Sequence, residues 1–241
     1  MAIITWDNTG EKLFETGTKN GVLYPWMDAI PADDTTTPPT EAVPAGYRMG
    51  YAWNGLTAVT ESPEGAEETA EYADDIKYLS LRSAEELKFT IEAYTYPEEF
   101  GQCDGSANLG SIPGVFVSQQ KRRMFGFSFV TTVGNDVDGN DYGEKYHLIY
   151  SATASPSERS YESINDSPEA ITFSWECSTT AIDMPGGLKK SAIITIDTTK
   201  LTEQGKTNLE TLKSKLYGTA SSNPYLPLPA EVLSIMSTPA G

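Results

Sequence analysis

The stretch Arg123-Met-Phe-Gly-Phe-Ser-Phe-Val-Thr-Thr-Val133 sets Arg123, Phe125, Phe127, Phe129, Thr131 and Val133 at every second position. Period two is the side-chain repeat of a β-strand, whereas a helix would scatter these rings around its circumference. A strand this long and apolar needs a covered face, so the fold is built on a sheet.

The same habit recurs outward in both directions. Upstream, Leu87, Phe89, Ile91 and Ala93 alternate with Lys88, Thr90, Glu92 and Tyr94, which describes a strand with one buried face. Tyr47, Met49, Tyr51 and Trp53 alternate as well and run into Asn54-Gly55, a strong hairpin signal, with Leu56–Thr60 as the returning strand. Ile76–Leu81 is a further strand. Downstream, a polar loop from Gly134 to Gly143 leads into Lys145–Thr153, followed by Ile171, Phe173, Trp175 and Cys177, then Ala192, Ile194 and Ile196. Strands at this spacing, separated by turn residues, indicate a sandwich or barrel.

Elsewhere the expectation is loop or helix. Asn8-Thr9-Gly10 is a turn between two short possible strands. The proline-rich segment 31–46 is an exposed loop, because its prolines remove donors and fix φ. Glu61–Asp75 holds seven acids and no base, so it is an extended, solvated excursion. Ser83-Ala-Glu-Glu86 has capping-box spacing and is read as a single turn. Leu201, Leu209, Leu212 and Leu216 mark one amphipathic helix ended by Gly218, expected to cover a sheet face or edge. The tail 221–241 has four prolines and is expected to be extended. The class is therefore all-β with one helix, and a chain of 241 residues is one large β domain or two small ones.

Charge limits the partners. The 241 residues carry a net charge of −17. Binding nucleic acid depends on cations displacing phosphate counterions, so this balance opposes it, and it opposes an anionic membrane surface equally. Lys121, Arg122 and Arg123 are a local exception. No apolar run approaches the roughly 18 residues of a membrane span, and the first residues lack the pattern of a secretory signal. Cys103 and Cys177 are expected to be free thiols of a chain folded in a reducing cytoplasm.

Catalytic chemistry finds little support. His147 is the only histidine, sits at an alternating strand position and reads as structural. Neither cysteine has a neighbouring activator in the sequence. Asp136, Asp138 and Asn140 begin like a calcium loop, but Asp141 stands where glycine is needed and His147 where a bidentate Glu belongs. A polar hairpin loop is the expectation there. No carboxylate pair has the apolar surroundings that raise one pKa, and there is no GxGxxG or P-loop. Hence no catalytic residue, metal ligand or cofactor is nominated. A different class, a carbohydrate- or receptor-binding sandwich, would present Trp26, Trp53 or Tyr94.

Several stretches in order carry a resemblance. They are Gly21-Val-Leu-Tyr-Pro25, Ala52-Trp-Asn-Gly-Leu-Thr-Ala-Val-Thr-Glu61, Tyr72-Ala-Asp-Asp-Ile-Lys-Tyr-Leu-Ser80 and Ile91-Glu-Ala-Tyr-Thr-Tyr-Pro97. The set continues with Gly134-Asn-Asp136, Tyr142-Gly143, Tyr150-Ser-Ala-Thr-Ala-Ser-Pro156, Asn165-Asp-Ser-Pro-Glu-Ala170 and Phe173-Ser-Trp-Glu176. Together they resemble the major tail tube proteins of siphophages infecting Gram-positive bacteria. The resemblance implies a tail tube type β-sandwich with long polar loops, in a single domain over 1–241 with 31–46 as an insertion. It also implies six-membered rings that stack around a tape measure protein, beside other tail proteins, in a virion tail assembled in the host cytoplasm. Phage DNA would pass through without specific binding and no membrane would be engaged. On this view Asn54, Gly55, Glu61, Glu64, Glu67, Glu68, Glu71, Asp74 and Asp75 are candidates for contact with a neighbouring ring.

Overall fold

A computed structural model describes residues 6, 8–32, 42–65, 67–110, 112–157, 159–161, 163 and 170–239. The chain is all-β at its centre, as its alternation requires, and its sheet does not close into a barrel. Twelve strands are present among the described residues: β1 (Phe14–Pro25), β2 (Tyr51–Trp53), β3 (Leu56–Glu61), β4 (Glu68–Ala73), β5 (Ile76–Arg82), β6 (Lys88–Ala93), β7 (Ala107–Asn108), β8 (Phe116–Val117), β9 (Phe125–Asn135), β10 (Gly139–Ala154), β11 (Phe173–Thr179) and β12 (Ile193–Asp197). Three α-helices accompany them: α1 (Gly101–Asp104), α2 (Glu203–Tyr217) and α3 (Pro229–Met236).

The main sheet runs β2-β1-β9-β10-β11-β6-β3, with β12 added on β10, and every pairing is antiparallel. It folds over on itself at β10. On one edge that strand pairs with β9 from Gly139 to Ala152; on the other it pairs with β12 through Ile149 and with β11 from Ala152. Between them the ladder slips, and Ser151 adopts φ 51°, a left-handed conformation unusual for a side-chain-bearing residue. Its amide is not lost, since it donates to the Tyr47 hydroxyl at 2.9 Å. The bulge lets one long strand serve both layers of the sandwich.

Between the layers lies an aromatic core. Phe125, Phe127 and Phe129 of β9 point into it with Phe89, Ile91 and Ala93 of β6, and Trp175 and Cys177 of β11. Trp53, Phe100 and Trp175 pack mostly edge to face at 4.7–5.5 Å, the arrangement ring quadrupoles favour. A second core occupies the other face of β1, β9, β10 and β12, where Leu209, Leu212 and Leu216 of α2 cover Val22, Tyr24, Val130, Leu148 and Ile196. The single amphipathic helix thus covers a sheet face, as its leucine spacing implies. Because β9 is covered on both sides, Phe125–Val130 are all buried.

Phenols tie the helical layer down. Tyr24 donates to the Leu216 carbonyl at 2.9 Å and Tyr150 to that of Pro227 at 3.0 Å. Thr202 caps α2 by accepting from the Gly205 amide, and Gly218 at φ 77° ends it.

Four local expectations are corrected. The tail is extended only to Leu228. Pro229 stands at N1 of a helix, where proline loses no hydrogen bond, and α3 packs Val232, Ile235 and Met236 against α2. Ser83–Glu86 forms no turn. It is extended, with Glu86 bridged to Glu64, because the backbone there has a partner strand to satisfy it. The strand expected from Tyr47 shrinks to Tyr51–Trp53, with Tyr47 in an isolated bridge to Leu226. Finally, Asn54-Gly55 does not close a hairpin. Of the two, Gly55 alone has positive φ, at 72°, and the turn passes the chain from β2, paired to β1, into β3, paired to β6.

Cys103 lies buried on the short α1. The turn at residues 9–10 is present. The centre of the 31–46 loop, 33–41, lies outside the described residues, as does 164–169 of the Asn165–Ala170 motif. The described flanks of that loop pair as Met27–Gly46 and Ile30–Val43 bridges.

Candidate assembly surfaces

β4 and β5 form a two-stranded hairpin separate from the main sheet. Its turn, Asp74-Asp75, has φ of 50° and 60°, the double left-handed geometry of a type I′ turn. Two aspartates tolerate that conformation better than most residues, which explains why a hairpin forms without glycine. The root continues the ladder of β3 and β6. The Ser62 amide donates to the Lys88 carbonyl at 2.7 Å, and Glu64 and Glu86 exchange two bonds of 2.8 Å. Gly65 is needed at this root, since at φ 94° an added Cβ would lie 2.2 Å from the Ala84 carbonyl oxygen.

The hairpin therefore projects as an arm. Its hydrogen bonds and ion pairs stay within residues 62–88. Yet it is not wholly polar. Tyr72 is 71% exposed, Tyr78 70%, Ile76 63% and Leu81 57%. Large apolar side chains grouped on a segment with no core of its own are a feature of interaction sites. Among the acids, Glu68 is organised most tightly. Lys77 binds it at 2.5 Å and Ser80 at 2.6 Å, and these bonds hold its carboxyl below the usual range. Lys88 is held above its usual range, chiefly by its 2.5 Å bond to Glu64.

The nine candidate contact residues separate into three places. Glu64, Glu67, Glu68, Glu71, Asp74 and Asp75 belong to the arm or its root. Asn54 and Gly55 form the turn at the far end of β3, between the two edge strands of the main sheet. Glu61 ends β3 and stays exposed, its carboxylate 3.7 Å from His147 Nδ1. The resemblance nominated this acid-rich stretch; Tyr72 lay in the excursion expected to be solvated, and Ile76, Tyr78 and Leu81 in an expected strand.

A second exposed apolar group sits on the β7–β8 hairpin. Leu109, Ile112 and Phe116 are more than half exposed, and Val115 and Val117 are nearly so. Beyond it come Lys121 and Arg123, both exposed and in no ion pair among the described residues.

Titratable groups elsewhere are committed to structure. His147 stacks on Phe129 with centroids 4.5 Å apart. Thr131 donates to Glu15 at 2.5 Å, so the 3.1 Å contact between Thr131 and His147 is a bond donated by Nε2–H. Nδ1 is then an acceptor, and it is buried without a hydrogen-bond partner. Burial lowers the His147 pKa, outweighing the nearby Glu61 and Glu15. Burial also raises Glu15, but bonds from Lys145 and Thr131 outweigh it and hold Glu15 below its usual range.

The signs give a pH profile. An imidazole kept neutral by the fold costs stability once the unfolded chain takes up its proton. Stability is therefore full above about pH 6.5 and falls as pH drops toward the folded-state value. Loss of the depressed Glu15 carboxylate adds a second decline below about pH 4.5. In His147→Gln, urea midpoints measured across pH should lose the first decline and keep the second. A mutant profile with the first decline intact would contradict this.

Both cysteines are buried and free. Burial pushes the Cys103 thiol up to about 12 and the Cys177 thiol higher still. A thiol reagent at neutral pH is expected to label neither until urea unfolds the chain, because the thiolate is the reacting form. Rapid labelling of the native protein would contradict that assignment.

The Asp136–Asp141 turn is tied to Gly10 and to Asn135 by side-chain oxygens. Asp136 accepts from the Gly10 amide at 2.8 Å, and Asn135 accepts from the Val137 and Asp138 amides at 3.0 and 2.5 Å. Among the described residues, no group of three or more His, Cys, Asp or Glu is placed to hold a metal ion. No helix among them is long and apolar enough to cross a membrane. Of the aromatics that a sugar-binding site would present, Trp53 is buried and Trp26 is half-buried beside Tyr47, which leaves Tyr94 exposed.

Comparisons with known proteins add a distant likeness in fold. No family model matches the chain, and no curated protein matches it. Among solved structures, it is similar to a chain of the six-fold symmetrised anti-feeding prophage baseplate at 9% identity and TM-score 0.32, covering 82% of this chain and 100% of that one. A chain of the PVC sheath-tube complex, an extracellular contractile injection system in its extended state, is similar at 12% identity and TM-score 0.27. There the coverage is 74% of this chain and 88% of the other. At these scores neither likeness carries an argument about function.

Proposed function

We propose that this chain is a structural protein that assembles with copies of itself into stacked six-membered rings, the hollow tail tube of a siphophage. The observation that carries the reading is the arm, which places Tyr72, Ile76, Tyr78 and Leu81 in solvent beyond either core. A partner that covers them removes apolar area from water at about 25 cal/mol per Å². The ordered motifs quoted above supply the form of the assembly and the tape measure and tail proteins as further partners. The net charge of −17 suits a conduit for DNA, because a lumen of the same sign offers phosphates no cation to bind. On this reading the chain performs no catalysis and resides in the virion tail.

Negative-stain microscopy of the purified protein tests the proposal. Rings or tubes are the expected result. Discrete monomers that bind a glycan would instead favour a carbohydrate-binding module, for which Tyr94 is the exposed aromatic.

A further inference from the structure

Self-assembly through a projecting arm requires a receiving surface, and the inference below rests on that reading. We propose that the arm of one copy docks on the Gly105–Met124 segment of another, across the β7–β8 hairpin.

Three observations select this segment. First, it is a concentrated apolar surface on an irregular part of the chain: Leu109, Ile112, Val115, Phe116 and Val117 are 38–56% exposed. Gly110 and Gly114, at φ 65° and 79°, shape its tip so that these side chains stand outward. Second, the charges are complementary. Residues 61–86 carry nine acids and two bases, while residues 105–124 carry three bases and no acid in a strongly acidic chain. Third, two of those bases are available: Lys121 and Arg123 are exposed and in no ion pair among the described residues, whereas Arg122 is half-buried near Asp104. A groove of about 430 Å³ runs beside Phe116, bordered by Gln102, Ser106 and Asn108. Glu98 and Glu99 also line it, so an acidic arm would be repelled there and drawn toward Lys121 and Arg123.

The occupant is a second copy because the arm's own bonds end at its root, and the same chain supplies both complementary surfaces. The contact is heterologous, with different surfaces on the two partners, and such contacts propagate into rings or filaments.

Two surface variants test it by sedimentation velocity and microscopy. One, Tyr72→Ser with Tyr78→Ser, weakens the arm; the other, Lys121→Glu with Arg123→Glu, weakens the receiver. All four side chains are exposed, so folding should survive. Each variant alone should need a concentration at least about tenfold higher to assemble. An equimolar mixture should give one-to-one heterodimers that stop there, since one intact arm and one intact receiver remain. If the receiver variant assembles like wild type while the arm variant fails, the docking site is wrong and self-assembly stands. If the wild-type chain never associates, both proposals fall.

Discussion

Replacing Glu67–Ser83 with a two-residue Asn-Gly turn should leave a folded protein that no longer polymerises. The excised segment contributes no residue to either core, and its bonds end at the root, where Ser62–Lys88 and Glu64–Glu86 pairing remains to carry the new turn. Circular dichroism melting should therefore give a midpoint within a few degrees of wild type, as exposed substitutions do. Assembly should fall below detection by microscopy, because the apolar side chains offered to a neighbour are gone. Tubes of normal length from the shortened chain would remove the arm from the interface.

The core is expected to respond in the opposite way. Trp175 is 1% exposed and touches Trp53, Tyr96, Phe100 and Phe173 at 5.2–5.7 Å between ring centroids. Trp175→Ala would delete the ring on which both ends of that cluster rest. Large aromatic-to-alanine changes in cores cost about 3–5 kcal/mol. That is a large fraction of the roughly 5–15 kcal/mol that stabilises a domain. Urea unfolding should show the loss directly, and the variant should accumulate poorly in soluble form. A cost below about 1.5 kcal/mol would mean that neighbouring rings collapse into the space, contrary to the dense packing that their edge-to-face contacts describe.

What the sequence disclosed follows from which forces are local. The alternation of Phe125, Phe127 and Phe129 and of Phe89, Ile91 and Ala93 is set by burial of one strand face, and both strands stand where that pattern puts them. The leucines of α2 behave likewise. Pairing partners are set by distant residues, so Asn54-Gly55, a good hairpin signal, joins two strands that do not pair with each other, β2 on β1 and β3 on β6. Meanwhile Asp74-Asp75, a weak one, closes the arm with both residues at positive φ. The bulge at Ser151 left no sequence mark, because its support is a hydroxyl more than a hundred residues away, on Tyr47. Pro229 was misleading for a local reason: the same ring that breaks a helix interior fits its first turn.

The candidate surface was half visible. The resemblance singled out the acid-rich stretch, and the exposure of Ile76, Tyr78 and Leu81 emerged only once β4 and β5 were seen to pair with each other and with no other strand. The β7–β8 hairpin gave no period at all, since its strands are two residues each.

Sedimentation velocity of the intact wild-type chain across a rising concentration series tests the central claim most directly. The expected result is a sedimentation coefficient that climbs from that of a 26.2 kDa monomer to that of rings and longer assemblies, with the arm's amides newly protected from hydrogen exchange in the large species. A monomer unchanged to the limit of solubility, its arm amides exchanging freely throughout, would contradict it.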